Sequence, residues 1–422
     1  MAQASLGELL IYLNDVPGGL RWLREADRRT PRLTEVERLN VKAQLAEAEG
    51  RKDAWIDLTG ELANRFPSAA HWNDYGEALR LADRPREAIA ALERGMAIDS
   101  TLPDLLYDLA IANRLVGNHA RALELFSRIA RIDSAFMLKA FAPQEWGRTH
   151  LEAGDYASAE AVFRRLLDEP GMSERARGHR LLAYLALHRG RLAEAAAELR
   201  LSIPLWRPAS LSEYRDQVLL AFVERLRGND PAVRAALDRV VAIFRESQIQ
   251  AAALMFGGHQ LVQAGQLARG RLFLDSLAAR AALRPDNEQD QAALMLLRAD
   301  LALAEGRLEA AEQALKASPL DDYEALWLTL MAELHAARGR PDSAMGYAQR
   351  AVKLEPFGYE MEADWLESFG QLGRLAEAAG NVDVARGAYA DLVELWRDGD
   401  EDLPPLVTAR RELRRLQQAT SR

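Results

Sequence analysis

The sequence predicts an all-α solenoid: a single array over residues 1–422, about ten helix pairs in a right-handed superhelix, closed by a C-terminal helix. Three observations carry that expectation. A small residue returns at a near-constant interval, at Ala54, Ala88, Ala122, Ala159 and Ala195, then at Ala311, Ala344 and Ala385. Val233 and Gly270 fill the same slot in between, and the intervals run from 33 to 41 residues. A period of this size marks stacked helix-turn-helix units. A glycine stands five residues ahead of the slot at 117, 154, 190, 228, 265, 306, 339 and 380, with Asp83 in its place once. Gly supplies a backbone turn that other residues resist, so it punctuates the two helices of each unit. Apolar residues also recur at helical spacing, as Leu105, Leu106, Leu109 and Ala112 do in PDLLYDLAIANRLVG, and no segment alternates like a strand.

The elements follow in order. Residues 1–35 read as a degenerate first pair, 36–396 as the repeats, and 397–422 as an acidic turn and a capping helix. Breakers at Pro67, Pro103, Pro170, Pro285, Pro319 and Pro356 separate successive units. Asn229-Asp230-Pro231 reads as a cap followed by Pro in the first helical turn. Gly76, Ala110, Gly147, Ala183 and Ala332 sit in first helices, facing the small residue of the second. Small side chains at both points let two helices approach closely. Trp72, Leu109, Trp146, Phe126, Phe163 and Tyr389 then fill the remaining space, and stacking on neighbours completes the core.

Composition bounds what such an array does. The 422 residues are 49% hydrophobic and 28% charged, as in a folded domain, and the net charge is −9. That acidity argues against general nucleic-acid binding, which needs a basic surface. There is no cysteine, so neither disulfides nor thiolate metal sites are expected. No apolar run approaches the ~18 residues of a membrane helix. MAQASLGELLIYL has no basic leader before its apolar run, so the expected location is the cytoplasm.

W-x2-Y-G at 72–76 with Ala88 and Leu92, and G-x-Y-x2-A-x3-F at 154–163, resemble the tetratricopeptide repeat. The likeness covers roughly residues 36–396 and implies a scaffold that binds a peptide or protein segment on its inner face. A narrower resemblance lies at the ends. LTEVERLNVKAQ (33–44) and YADLVELWRDGDEDLPPLVTARREL (389–413) are similar to segments flanking such repeats in bacterial Ser/Thr kinases and nucleotide cyclases. No kinase signature accompanies them. The resemblance therefore implies a regulatory or sensory module of bacterial signalling. The alternatives are a non-catalytic part of a larger enzyme and a structural assembly subunit. A start within what reads as a helix, at Met1-Ala2-Gln3, fits a fragment or a separated module.

No chemistry of an enzyme is legible, and no cofactor is expected. The seven histidines show no metal-binding spacing. MFGGHQ (255–260) reads as a close helix contact at Gly257 and Gly258. In the acidic run Asp398-Gly399-Asp400-Glu401-Asp402, Ala409 stands where a calcium loop needs its bidentate Glu. The run reads instead as a polar turn in which Asp402 caps the last helix, with Pro404 and Pro405 in its first turn. Seven of the eight tryptophans read as core; Trp206, in IPLWRP, stands outside the pattern and is expected to be exposed.

The binding residues are expected on the first helices, where positions three, four and seven apart share a side. Asn73 and Arg80 fall together in one unit, Tyr107 and Arg114 in the next, then Gln144 and Arg148, then Arg180 and Tyr184. A run of Arg interleaved with Tyr implies an acidic or C-terminal segment as ligand, since guanidinium forks hold carboxylates and Tyr gives rigid contact area. The competing reading is a solvated face balanced by neighbouring Glu and Asp.

Overall fold

The computed structural model describes residues 2–12, 15–29, 33–138, 141–319, 323–354 and 361–420. Among them lie helices and short 3-10 turns, with no strand. The chain divides into two compact units after Asp168.

Unit 1 contains α1 (Ala2–Tyr12), α2 (Val16–Arg28), α3 (Glu35–Glu49), α4 (Lys52–Arg65) and α5 (Ala69–Leu81). These are followed by α6 (Pro85–Ile98), α7 (Pro103–Leu115), α8 (His119–Ile132), α9 (Ala142–Glu152) and α10 (Tyr156–Arg165). Odd and even helices pack as consecutive pairs, and each pair stacks on the next. The turns have a common physical cause. Gly117 and Gly154 adopt φ of 81° and 79°, the left-handed region in which a Cβ is unfavourable, and Asp83 takes φ 55° at the equivalent turn. Gly50 does the same at φ 76°. Counting five from it places Trp55, buried, in the slot expected for Ala54, which is only half-buried. The first interval is thus one residue shorter than the sequence suggests.

The small residues of the first helices do mark close crossings, but Gly76 and Gly147 face the large residue four positions after the expected Ala and not the Ala itself. A Cβ on Gly76 would lie 2.4 Å from Leu92 Cγ, and one on Gly147 would lie 2.1 Å from Phe163 Cε1. Ala88, Ala122 and Ala159 have no exposed surface. Interiors are packed at crystal density, so these contacts leave no room for another methylene.

Unit 2 opens with α11 (Met172–His188), α12 (Leu192–Ser202), α13 (Leu211–Leu226), α14 (Asp230–Glu246), α15 (Ala251–Gln263) and α16 (Leu267–Leu283). It continues with α17 (Glu288–Ala304), α18 (Leu308–Ala317), α19 (Glu324–Ala337), α20 (Pro341–Ala351), α21 (Met361–Ala378), α22 (Val382–Leu395) and α23 (Pro404–Thr420). Gly257 and Gly258 are close helix contacts: added Cβ atoms would meet the Tyr214 hydroxyl at 1.9 Å and Leu297 at 2.6 Å. Pro356 lies outside the described residues.

Three local readings change. Asn229 does occupy the N-cap of α14, but its side chain donates to Glu224 at 2.9 Å instead of capping. The carbonyl of Leu403 accepts the first helical bond of α23, from Val407, so Leu403 and not Asp402 is the cap residue. Trp206 is half-buried: its indole N–H donates to Asp216 at 2.7 Å, and the Arg180 guanidinium stacks 4.8 Å from its ring centre. The last helix does carry one apolar face, with Leu406 and Leu416 buried and Arg411, Arg414 and Arg415 exposed.

Candidate protein-binding surfaces

The first helices of unit 1 do not carry a free run of arginine. Arg80 reaches Asp108 at 2.8 Å. Arg114 is buried between Glu145, at 3.0 Å, and Glu152, at 2.9 Å. Arg148 shares Glu152 at 2.8 Å. In unit 2, Arg180 pairs with the fully buried Asp216 and also donates to the Ser212 carbonyl at 2.6 Å. The expectation that these guanidiniums await an external carboxylate is therefore revised. A buried Arg must find its counter-ion within the chain, because an unpaired buried charge is far too costly. Gln144 and Tyr184 are buried as well, Tyr184 to 2% exposure, so neither offers contact area. Tyr107 is half-buried and packs edge-on against Phe126 and Phe136.

What these helices do gather is carboxylate. Glu8 on α1, Glu47 on α3, Asp74 and Glu77 on α5, and Asp104 and Asp108 on α7 lie close enough to repel one another. Burial, then Glu77, Glu8 and Asp74, push Glu47 up to about 7. Burial raises Asp74 to about 6, with Glu77 and Glu8 adding to it against the pull of His71. Glu77 is raised by burial and Asp104 despite Arg80, and Asp108 by burial against the same Arg80. Glu8, Glu47 and Asp104 are nevertheless solvent-exposed, so the group forms an acidic surface shared by α1, α3, α5 and α7 that surrounding protein partly desolvates, here called the hollow. None of Glu8, Glu47, Asp74 or Asp104 has an ion pair among the described residues. One helical turn before Glu77, Asn73 is 9% exposed, and its buried Oδ1 has no hydrogen-bond partner. Such an unmet acceptor costs about 1–3 kcal/mol unless something supplies a donor.

One trace of this was present in the sequence. Asp74 and Asp108 are 34 residues apart, one repeat, and each follows the Asn73 or Tyr107 position. The contributions of Glu8 and Glu47 follow no such spacing and needed the tertiary structure.

Unit 2 treats its inner helices differently, because α21 packs along them. His188 of α11 meets Glu362 at 3.2 Å and stacks on Trp365 with ring centres 5.5 Å apart. Arg225 of α13 holds Glu367 through two bonds, 2.7 and 3.0 Å. His259 of α15 lies between Asp300 of α17, at 2.8 Å, and Asp364 of α21, at 3.3 Å. Gln371 donates to the Thr329 carbonyl of α19 at 3.3 Å. Burial pulls the His259 imidazole down, but Asp300 and Asp364 outweigh it and hold it well above its usual value. The acidic run has a structural use too. Asp398 pairs with Arg189 at 3.0 Å, Asp400 accepts from the Ala193 N–H at 2.8 Å, and the Asp400 N–H donates to the Gly190 carbonyl at 3.0 Å.

Stacked helix pairs, left-handed glycine turns and small residues at the crossing points define an α-solenoid repeat protein. Residues 145–210 match the family model described as Tetratricopeptide repeat. No curated protein matches the chain in sequence. Among solved structures, a crystal structure of the MamA protein is 22% identical over 40% of this chain and 89% of its own, with TM-score 0.31. Yeast Tom70 is 12% identical over 91% of this chain and 96% of its own, TM-score 0.40. A human IFIT1 dimer with PPP-AAAA is 16% identical over 92% and 89%, TM-score 0.42. At these levels no activity or ligand carries across. Proteins of this repeat family are in general non-catalytic scaffolds that bind proteins or peptides. Among the described residues no helix is long and apolar enough to cross a membrane.

Proposed function

We propose that the chain is a binding scaffold that takes a segment of another protein along the first helices of unit 1. The observation that supports this reading is the contrast between the units. The inner helices of unit 2 are covered by α21, whereas unit 1 leaves a polar hollow lined by α1, α3, α5 and α7. Repeat solenoids use such surfaces to hold extended peptides or helices. In this reading Arg80 and Tyr107 are contact positions, and Asn73, nine-tenths buried, offers its unmet acceptor and not contact area. Arg114, Gln144 and Arg148 set the wall beside them, and Arg180 and Tyr184 serve the packing of unit 2. An acidic ligand is not favoured, because every arginine of the expected run already holds a carboxylate. Nucleic acid is disfavoured for the same electrostatic reason.

The test is site-specific crosslinking in the full chain. A photo-reactive amino acid is placed at Glu77, whose side chain is 40% exposed, and in a second protein at Glu309, 87% exposed on unit 2. A partner first isolated by pull-down should crosslink from position 77 and not from 309. Crosslinking from 309 alone would overturn the reading.

A role in bacterial signalling within the cytoplasm belongs to the same proposal and rests on the likeness at residues 33–44 and 389–413. A kinase or cyclase among the partners crosslinked at position 77 would support it. A partner with no connection to signalling would count against it.

A further inference from the structure

We infer that the hollow of unit 1 is built for a cationic protein segment, a stretch carrying several lysines or arginines, held by Glu8, Glu47, Asp74, Glu77 and Asp104 with Asn73. The inference rests on the binding reading above and adds the chemistry of the partner.

Charge imbalance is the first support. Facing groups across the hollow are the six carboxylates, with Arg80 and His71 as the opposing side chains. Arg80 is committed to Asp108 at 2.8 Å and reaches Glu77 only at 3.9 Å. Further along the same unit the chain neutralises itself, since Arg114 and Arg148 meet Glu145 and Glu152. The hollow is thus the stretch of these helices where carboxylates lack counter-ions. Their mutual repulsion is a standing cost that a cation would relieve.

Asn73 is the second, independent support. It sits four residues before Glu77 on α5, so both project from one side of that helix. Its amide is nine-tenths buried with an acceptor that nothing in the chain satisfies. An ammonium or guanidinium N–H supplies the donor that this acceptor needs.

The arrangement also selects among cations. Among the described residues no three His, Asp or Glu side chains converge closely enough to hold a metal ion. The carboxylates come from four helices, which suits charges spaced along a chain. A linear polyamine shares part of this chemistry and is separated by the test.

The burial that raises Glu47 and Asp74 gives the inference a particular signature. A cation favours their ionised forms, so binding releases protons and strengthens as pH rises through about 6 to 7.

The experiment measures fluorescence anisotropy of a labelled peptide of alternating lysine and alanine with the full chain, at about pH 6 and pH 8. A glutamate–alanine peptide and spermine as competitor run alongside. The Asp74→Asn/Glu77→Gln double variant should weaken binding by about tenfold, the effect of losing two partly screened ion pairs. Glu309→Gln/Asp383→Asn, which removes the same charge from exposed positions on unit 2, should leave affinity within about twofold. Wild-type affinity should be higher at the higher pH and fall with salt. Removing repelling carboxylates should not lower the thermal midpoint, so lost binding is not lost folding. Failure of the lysine peptide to bind, equal losses in both variants, or spermine binding as tightly as the peptide would each overturn the inference. If the partner crosslinks at position 77 through an acidic or neutral segment, the binding surface stands and this inference falls. If it crosslinks elsewhere, the surface itself falls.

Discussion

Removing the His259 imidazole tests how unit 2 is held together. In His259→Ala, Asp300 and Asp364 are left in a buried site with Arg225 as the remaining, more distant cation. Contacts of 2.8 and 3.3 Å correspond to roughly 5–6 kcal/mol each in raw Coulomb attraction at an effective dielectric of about 20. Desolvation of the imidazolium and repulsion between the two carboxylates offset most of that. The net loss on deleting one member of such a group is about 3–5 kcal/mol, a large share of a domain's stability. The pH follows from the sign of the shift. His259 has a raised folded value, so its contribution is full below about pH 6.5 and is lost only as pH rises through the higher folded value. At about pH 7 it is therefore still present, and urea unfolding should be measured there, with hydrogen exchange of α15 and α21 amides as the local readout. Adding Asp300→Asn and Asp364→Asn to the variant should recover part of the loss, since no buried charge then stands alone. A loss below about 1 kcal/mol, or no recovery in the triple variant, would show that the cluster is solvated and does not fasten α21.

Two further outcomes follow from the packing and the acidic hollow. Ala159→Glu buries a charge where Ala159 has no exposed surface, and should cost about 3–5 kcal/mol; an unchanged thermal midpoint would refute the repeat register. Glu47 is raised in the folded state, so its contribution is full below about pH 4.5 and lost as pH rises through about 7; Glu47→Gln should raise the midpoint at about pH 8 and leave it nearly unchanged at about pH 4.

The repeat was legible because its marks are local. A left-handed turn demands Gly at 117, 154 and 190 whatever the partner helices do, and a helix crossing demands Gly76 or Ala159 wherever it falls. Both demands are written at fixed spacing, so the period, the helical class and the tight contacts at Gly257 and Gly258 could be read along the chain. Trp55 and Leu403 show the limit of that local reading, each one position from where pattern placed it. The surface was a different matter. Helical spacing put Arg80, Arg114, Arg148 and Arg180 on shared faces, but whether a guanidinium is free depends on what lies opposite it. Arg148 finds Glu152 four residues on, but Arg80, Arg114 and Arg180 are held by Asp108, by Glu145 and Glu152, and by Asp216, 28 to 38 residues away. Their approach is set by how one pair stacks on the next. The same is true of α21, which reaches His188, Arg225 and His259 across as many as 174 residues of chain. Sequence alone determined the repeat and its class. Only tertiary stacking decided which charges neutralise each other and which carboxylates, Glu8, Glu47, Asp74 and Asp104, are left facing open space, because Coulomb interactions follow distance in space and not separation along the chain.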